Sequence, residues 1–232
     1  HHCCVVYDRS VYSIIISADK MSIKNSIFTI VLTGGPCAGK TSALTFLVDQ
    51  LKNHPIYKDY DVYTVCESAT LLGNCGPEYP GQSEERREEL ILFESELLKL
   101  QIQLEETIFN IAKFRNKKAI IICDRGALDL IPYIPHKDWL TVLSNTNYTE
   151  EALAQRYDAV IHLVSVAIGA EQFYSSENNA VRIESLEESR ELDDLTYKSW
   201  IIHPHLFRVD NTSIIFQEKL DKVYNILIEL AE

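Results

Sequence analysis

Basic residues are in short supply in this chain: 22 Lys and Arg face 34 Asp and Glu, a formal charge of −12 over 232 residues. The acidic excess is spread along the chain, which excludes attachment to nucleic acid through a basic face, so no nucleic-acid partner is expected. Any polyanionic ligand has to be held in a local pocket of positive potential. Long apolar runs are missing as well, and none approaches the roughly 18 residues of a transmembrane span. Six cysteines form no CxxC pair and no Cys/His cluster at zinc spacing. With three of them in apparent buried strands or a tight loop, a reducing, cytoplasmic setting is expected. Methionine occurs once, at Met21. Residues 1–24 read as an extension or tag remnant without function, and residues 25–232 as one domain. Internal repeats and low-complexity segments are absent too, and 46% apolar with 24% charged residues is a globular composition.

What is present alternates between two periods. Ile27–Thr33 (IFTIVLT) is a nearly continuous apolar run, as a strand covered on both faces should be. Ala43–Leu51 follows with helical spacing. Further strands are expected at Asp61–Glu67, Ala119–Asp124, Ala159–Val166 and Leu206–Asp210, and a last helix at Ile214–Leu230. Between the second and third strands, Glu84–Arg115 contains no Gly or Pro. Its apolar residues Leu90, Phe93, Leu97, Leu100, Leu104, Ile108 and Ile111 recur at steps of three and four, which predicts a long helix with a bend. The stripe reads as core, or alternatively as a coiled-coil seam. Gly73–Gln82 is rich in turn residues and reads as a mobile loop over the crevice. The pattern predicts a three-layer α/β/α domain with a mainly parallel five-stranded sheet, whose ligand crevice lies at the carboxyl ends of the strands.

Gly34-Gly35-Pro36-Cys37-Ala38-Gly39-Lys40-Thr41 fits G-x-x-x-x-G-K-[ST], placed between an apolar strand and a helix. Such a loop wraps phosphates with backbone N–H groups at a helix amino end, and Ser42 continues it into the helix. Lys40 would reach the β and γ phosphates of ATP or GTP, and the Thr41 hydroxyl would bind Mg²⁺. Asp124 ends the third strand, where a carboxylate near the magnesium is wanted. Arg125 follows, free to meet a substrate phosphate or to pair with Glu67 or Asp129. Glu67 ends the second strand and is a candidate general base for an acceptor hydroxyl, with a structural ion pair as its other reading. A helical lid is expected at about residues 170–194, where Arg182 and Arg190 would neutralise the departing γ-phosphoryl charge. Asn211 ends the fifth strand, a place from which the nucleotide base can be contacted. His203-Pro204-His205 resembles a zinc pair only superficially, because no third ligand is near.

Absences again narrow the class. No D-x-x-G follows Asp124 and no N-K-x-D reads guanine, which argues against a signalling GTPase. No Asp-Glu pair ends the third strand, as a water-polarising motor ATPase would need. Asp124-Arg125 points toward small-molecule and nucleotide kinases.

The stretches TGGPCAGKT, CESAT, CDRGALD and VRIESLEESRELDD...HPHLFRVDN resemble the AAA-type phosphate-loop domain family of the TRPL translocation defect protein. That family is related to the nicotinamide-riboside kinase part of a bacterial NAD-biosynthesis regulator. The resemblance spans about residues 27–231 and implies a kinase-like nucleotide-binding domain. It assigns Gly34 to Thr41 to the nucleotide, Asp124-Arg125 to the third strand end, Glu67 to the second, and Arg182 and Arg190 to the lid. Related nucleoside kinases carry Ser or Tyr where Gly126 stands. The trafficking member implies a second class of function, a nucleotide-dependent module for a phosphoinositide or protein partner. The leading expectation is Mg²⁺-dependent phosphoryl transfer from a nucleoside triphosphate to a small-molecule acceptor.

Overall fold

Apolar runs rich in Ile, Val and Leu become five parallel strands in a computed structural model that describes residues 27–171, 185–212 and 215–231. The strands are β1 (Ile27–Thr33), β2 (Asp61–Val65), β3 (Ala119–Asp124), β4 (Ala159–Leu163) and β5 (Leu206–Val209), in the order β2-β3-β1-β4-β5. Every pairing is parallel, with Leu32 beside Asp124 on one side and Thr33 beside His162 on the other. The expected extensions of β2 to Glu67 and of β4 to Val166 are not made, because those residues turn into the crevice instead. The helices are α1 (Lys40–Asn53), α2 (Ser68–Asn74), α3 (Arg87–Arg115), α4 (His136–Thr146), α5 (Glu150–Ala154), α6 (Leu186–Ser199) and α7 (Phe216–Ala231).

Because strand side chains alternate, β1 sends Val31 to one face and Phe28, Ile30 and Leu32 to the other. The first face packs under α3, α4 and α5. The second packs under α1, through Ala43, Leu47 and Leu51, and under α7, through Leu220, Val223 and Leu227. Each fully buried leucine contributes about 1.5–3 kcal/mol by leaving water. The domain is therefore a three-layer α/β/α sandwich, as the alternating periods predict.

The Gly- and Pro-free tract opens with one 3-10 turn, Glu84–Arg86, and continues as the 29-residue α3, about 43 Å long at helical rise. Its buried face is turned from the expected stripe: Ile111 is exposed, whereas Glu94, Ser95, Gln101 and Glu105 are buried. Polar partners explain the rotation, since Glu105 accepts from Gln101 Nε2 at 2.8 Å, Tyr157 OH at 2.7 Å and Arg156 Nε at 3.0 Å. The turn-rich loop after α2 is tethered, with Tyr79 OH donating to Tyr133 O at 2.6 Å and Gln82 Nε2 to Pro132 O at 3.4 Å. Residues 1–24, most of the expected lid and Arg182 lie outside the described residues. Among the described residues no helix is long and apolar enough to cross a membrane.

Candidate phosphate-binding site

β1 ends in the sheet centre, between β3 and β4, so the loop that follows emerges at the switch point where α/β sheets bind ligands. Gly34 takes φ 143°, and a Cβ there would lie 2.1 Å from Leu163 O, so only glycine lets the loop pass β4. The loop's carbonyls are all taken. Lys40 Nζ donates to Gly34 O and Gly35 O, both at 3.1 Å. Ser165 Oγ donates to Pro36 O at 2.5 Å, and Val166 N–H to Cys37 O at 3.4 Å. Lys219 Nζ donates to Ala38 O at 3.1 Å, and Ala43 N–H to Gly39 O at 2.9 Å. The N–H groups of Cys37, Ala38 and Gly39, by contrast, have no acceptor among the described residues. Left-handed turns at Cys37 and Gly39 gather them into a concavity suited to an anion. No acidic residue in the first turn of α1 opposes the helix dipole there.

The β3 side adds a charged cluster. Arg125 is buried with φ 69°, a left-handed conformation of the kind that concentrates at functional sites. Its Nε donates to Glu67 Oε1 at 2.6 Å and its Nη1 to Gly34 O at 3.3 Å, and Nη1 lies 3.8 Å from Asp129 Oδ1. Of the alternatives open for Arg125 and Glu67, the ion pair between them is thus formed. Burial would raise the Glu67 carboxyl, but the Arg125 charge and the Thr70 hydroxyl outweigh it and hold the group below the usual carboxylate range. Asp129 in turn accepts from Gly126 N–H at 2.7 Å and from the Thr33 hydroxyl.

Asp124 is half-buried, and its side chain makes no hydrogen bond or ion pair among the described residues. Burial pushes its carboxyl up; Lys40 opposes this and Glu67 reinforces it. The Thr41 hydroxyl, exposed at the start of α1, makes no hydrogen bond among the described residues either. This pair fits Mg²⁺: an unpaired carboxylate whose desolvation a cation would relieve, and a free hydroxyl beside the loop. No cluster of three or more His, Cys, Asp or Glu could hold a metal among the described residues. A single carboxylate is nevertheless enough for Mg²⁺, which keeps waters and takes substrate phosphates as its remaining ligands.

The β4 side brings in residues that no local motif marks. Asp193 of α6 is fully buried, and its Oδ1 accepts from Gly35 N–H and from Ser165 N–H, each at 2.9 Å. Its Oδ2 lies 3.2 Å from His162 Nε2. Lys219 of α7 also donates to Val164 O at 2.6 Å and Asn211 Oδ1 at 2.8 Å, with burial pushing its pKa down to about 8. Asn211 Nδ2 donates to Ser165 O and Ile168 O, both at 2.8 Å, so its amide braces the corner after β4 rather than standing free to meet a base. Arg190 is half-exposed, donating from Nε to Ala167 O at 2.7 Å and pairing with Glu171 at 3.1 Å. One sequence signal was available: His162 interrupts an apolar strand, and a buried imidazole needs a partner. His203, by contrast, is engaged at both ring nitrogens, by Tyr157 O at 2.9 Å and His205 N–H at 3.1 Å.

A parallel sheet in this order, with the loop's carbonyls turned away from its concavity, defines a phosphate-loop domain with a nucleotide-kinase-like fold. The chain belongs to the AAA domain family, whose model matches residues 29–217. Among solved structures, it is similar to thymidylate kinase from Ehrlichia chaffeensis, with a TM-score of 0.55 at 14% identity, over 87% of this chain and 98% of that one. At that identity the likeness is one of fold. No curated protein matches the sequence.

Proposed function

We propose that the domain is a Mg²⁺-dependent phosphotransferase of the nucleoside or nucleotide kinase type, using ATP or GTP and a small-molecule acceptor. The observation that carries this reading is the loop whose six carbonyls are engaged while the N–H groups of Cys37, Ala38 and Gly39 are left for an anion. In this reading Lys40 leaves the Gly34 and Gly35 carbonyls to meet the β and γ phosphates. Thr41 and Asp124 hold Mg²⁺, which supplies charge neutralisation on the phosphates. Arg125, oriented by Glu67, faces the acceptor side, and Arg182 and Arg190 approach the transferring phosphoryl group. Lys40→Ala is expected to weaken triphosphate binding at least about 100-fold, read by calorimetry. Unchanged binding and turnover in that variant would sink the idea.

A second reading is favoured by one feature: Glu67 is ion-paired, and a carboxyl held below its usual range is a weak base. It makes the domain a GTP- or ATP-dependent binding module for a phosphoinositide or protein partner, in line with the resemblance to the TRPL-related family. The two separate on turnover. Glu67→Gln should lower kcat for transfer with nucleotide affinity nearly intact under the kinase reading. The module reading expects no acceptor-dependent turnover, and nucleotide-dependent capture of phosphoinositide vesicles or the partner.

A further inference from the structure

Helix α6 packs by its polar side. Ser189, Asp193, Thr196 and then Trp200 recur at helical spacing and are all buried, while Leu195 on the other side is exposed. Asp193 in this row reaches the phosphate loop. Its Oδ1 takes two backbone N–H groups at 2.9 Å, from Gly35 in the loop and Ser165 beyond β4. A Cβ on Gly35 would lie 2.7 Å from Asp193 Cβ, so the contact of helix and loop leaves room for nothing else. Electrostatics alone disfavours this arrangement, because a buried carboxylate repels the polyanion that the loop holds. What the side chain supplies is geometry. With Gly35 N–H fixed toward α6, the peptide chain is committed to turn its next N–H groups into the concavity.

We infer that Asp193 is a positioning residue for the phosphate loop, tying the Gly34-Gly35 turn, the corner after β4 and helix α6 into one unit that forms together. The role builds on the proposed triphosphate ligand but acts on the loop whether or not transfer follows. Since Arg190 lies one turn before Asp193, the same tie sets where α6 presents that guanidinium. By reciprocity, triphosphate binding should protect the α6 amides from exchange.

Acceptor geometry and charge can be separated. Asp193→Asn keeps Oδ1 for both N–H groups, and its Nδ2 can donate to His162 Nε2. His162 Nδ1 has no partner among the described residues, so the ring can move its proton there freely. Asp193→Glu keeps the charge but moves the carboxylate outward by one methylene, and Asp193→Ala removes both. Calorimetry with Mg·ATP and Mg·GTP analogues that resist hydrolysis should place the Asn variant within about 3-fold of the unmodified chain, and the Glu and Ala variants at least about 10-fold weaker. Thr196→Ala, which disturbs the same buried row without touching the loop, should bind normally. Normal binding by both the Glu and Ala variants overturns the inference, as does an Asn variant as weak as Ala, which would assign the role to charge. If the Ala variant does not fold, the order of Asn and Glu decides. Should the unmodified chain bind no triphosphate, the functional reading falls. Amide exchange without nucleotide then still decides on Asp193: it should quicken at Gly35 and Ser165 in the Glu variant and stay normal in the Asn variant, and equal rates in both would overturn the role.

Discussion

The phosphate loop is flanked by two walls built on different rules. On the side of β3 and α3, Val31, Ile121, Cys123, Leu97 and Leu98 form an apolar layer, at whose edge buried Arg125 donates to Gly34 O of the loop. On the side of β4, α6 and α7, the loop meets Ser165, Asp193 and Lys219, each buried and each hydrogen-bonded to loop backbone. The difference follows from what the loop must do. A backbone that offers its N–H groups to an anion leaves its carbonyls pointing the other way, and buried carbonyls without donors are costly. The β3 wall can be largely apolar because a strand satisfies its own backbone, with Arg125 serving Gly34 O; the β4 wall supplies the donors to Pro36 O and Ala38 O and the acceptor for Gly35 N–H.

The largest effect that separates the walls is expected at Lys219. Lys219→Met keeps the stem but strips the donors from Ala38 O, Val164 O and Asn211 Oδ1. Leaving such oxygens unpaired should cost about 3–4 kcal/mol of stability. Leu47→Ala, in the apolar packing of α1, should cost a similar 2–5 kcal/mol through its cavity. The two variants part on ligand affinity: at a temperature where both are folded, only Lys219→Met should weaken triphosphate binding. Equal affinities would mean that the polar wall is ordinary packing.

How much of this was legible follows from the same division. Repeating patterns read correctly: the strand β1, the loop from Gly34 to Thr41, α1, and Asp124-Arg125 at the end of β3 all follow from local sequence. Glu67 and its pairing with Arg125 were both among the alternatives open in the sequence, but choosing that pair needs the β2–β3 adjacency that spacing does not reveal. Asp193 sits 158 residues from Gly35 and Lys219 sits 181 from Ala38. No periodicity flags them, because α6 buries Ser189 and Thr196 where the pattern calls for leucine. Asn211 stands just after β5, as local sequence suggests, but its partners, the carbonyls beyond β4 and the Lys219 ammonium, are distant in sequence.

Glu94 tests the opposite wall, where it differs from the buried, partnered Glu105 on the same helix. It is buried on α3, its Oε2 has no partner among the described residues, and burial pushes its pKa up to about 8. A carboxyl raised this far binds a proton in the folded chain that the unfolded chain releases. Its contribution is therefore full below about pH 4.5 and fades as pH rises toward about 8. Glu94→Gln should be nearly neutral at pH 5 and stabilising by about 2–3 kcal/mol at pH 8, read from urea denaturation at both values. A pH-independent change would mean that Glu94 finds a partner in solution and that the apolar wall is less dry than its packing suggests.

The smallest expected effect lies where the walls meet. Gly126 follows Arg125, and its backbone angles are ordinary extended ones. Space is the constraint: a Cβ would approach Trp200 Cη2 to 2.8 Å and Val31 Cγ2 to 2.9 Å. Trp200 caps the polar row of α6 and packs in the same apolar cluster as Val31, so this glycine sits where the end of α6 joins that floor. Gly126→Ala should cost about 1–2 kcal/mol by overpacking. Trp200→Phe would remove the offending ring atoms, so in the double variant the penalty of the added methyl should shrink by about 1 kcal/mol in a double-mutant cycle. If the two changes add independently, Trp200 is free to shift and α6 is not fixed on the loop as tightly as Asp193 requires. If they couple, the space beside Gly126 is set by Trp200, and the crevice next to Arg125 is shaped by the end of α6 as well as by β3.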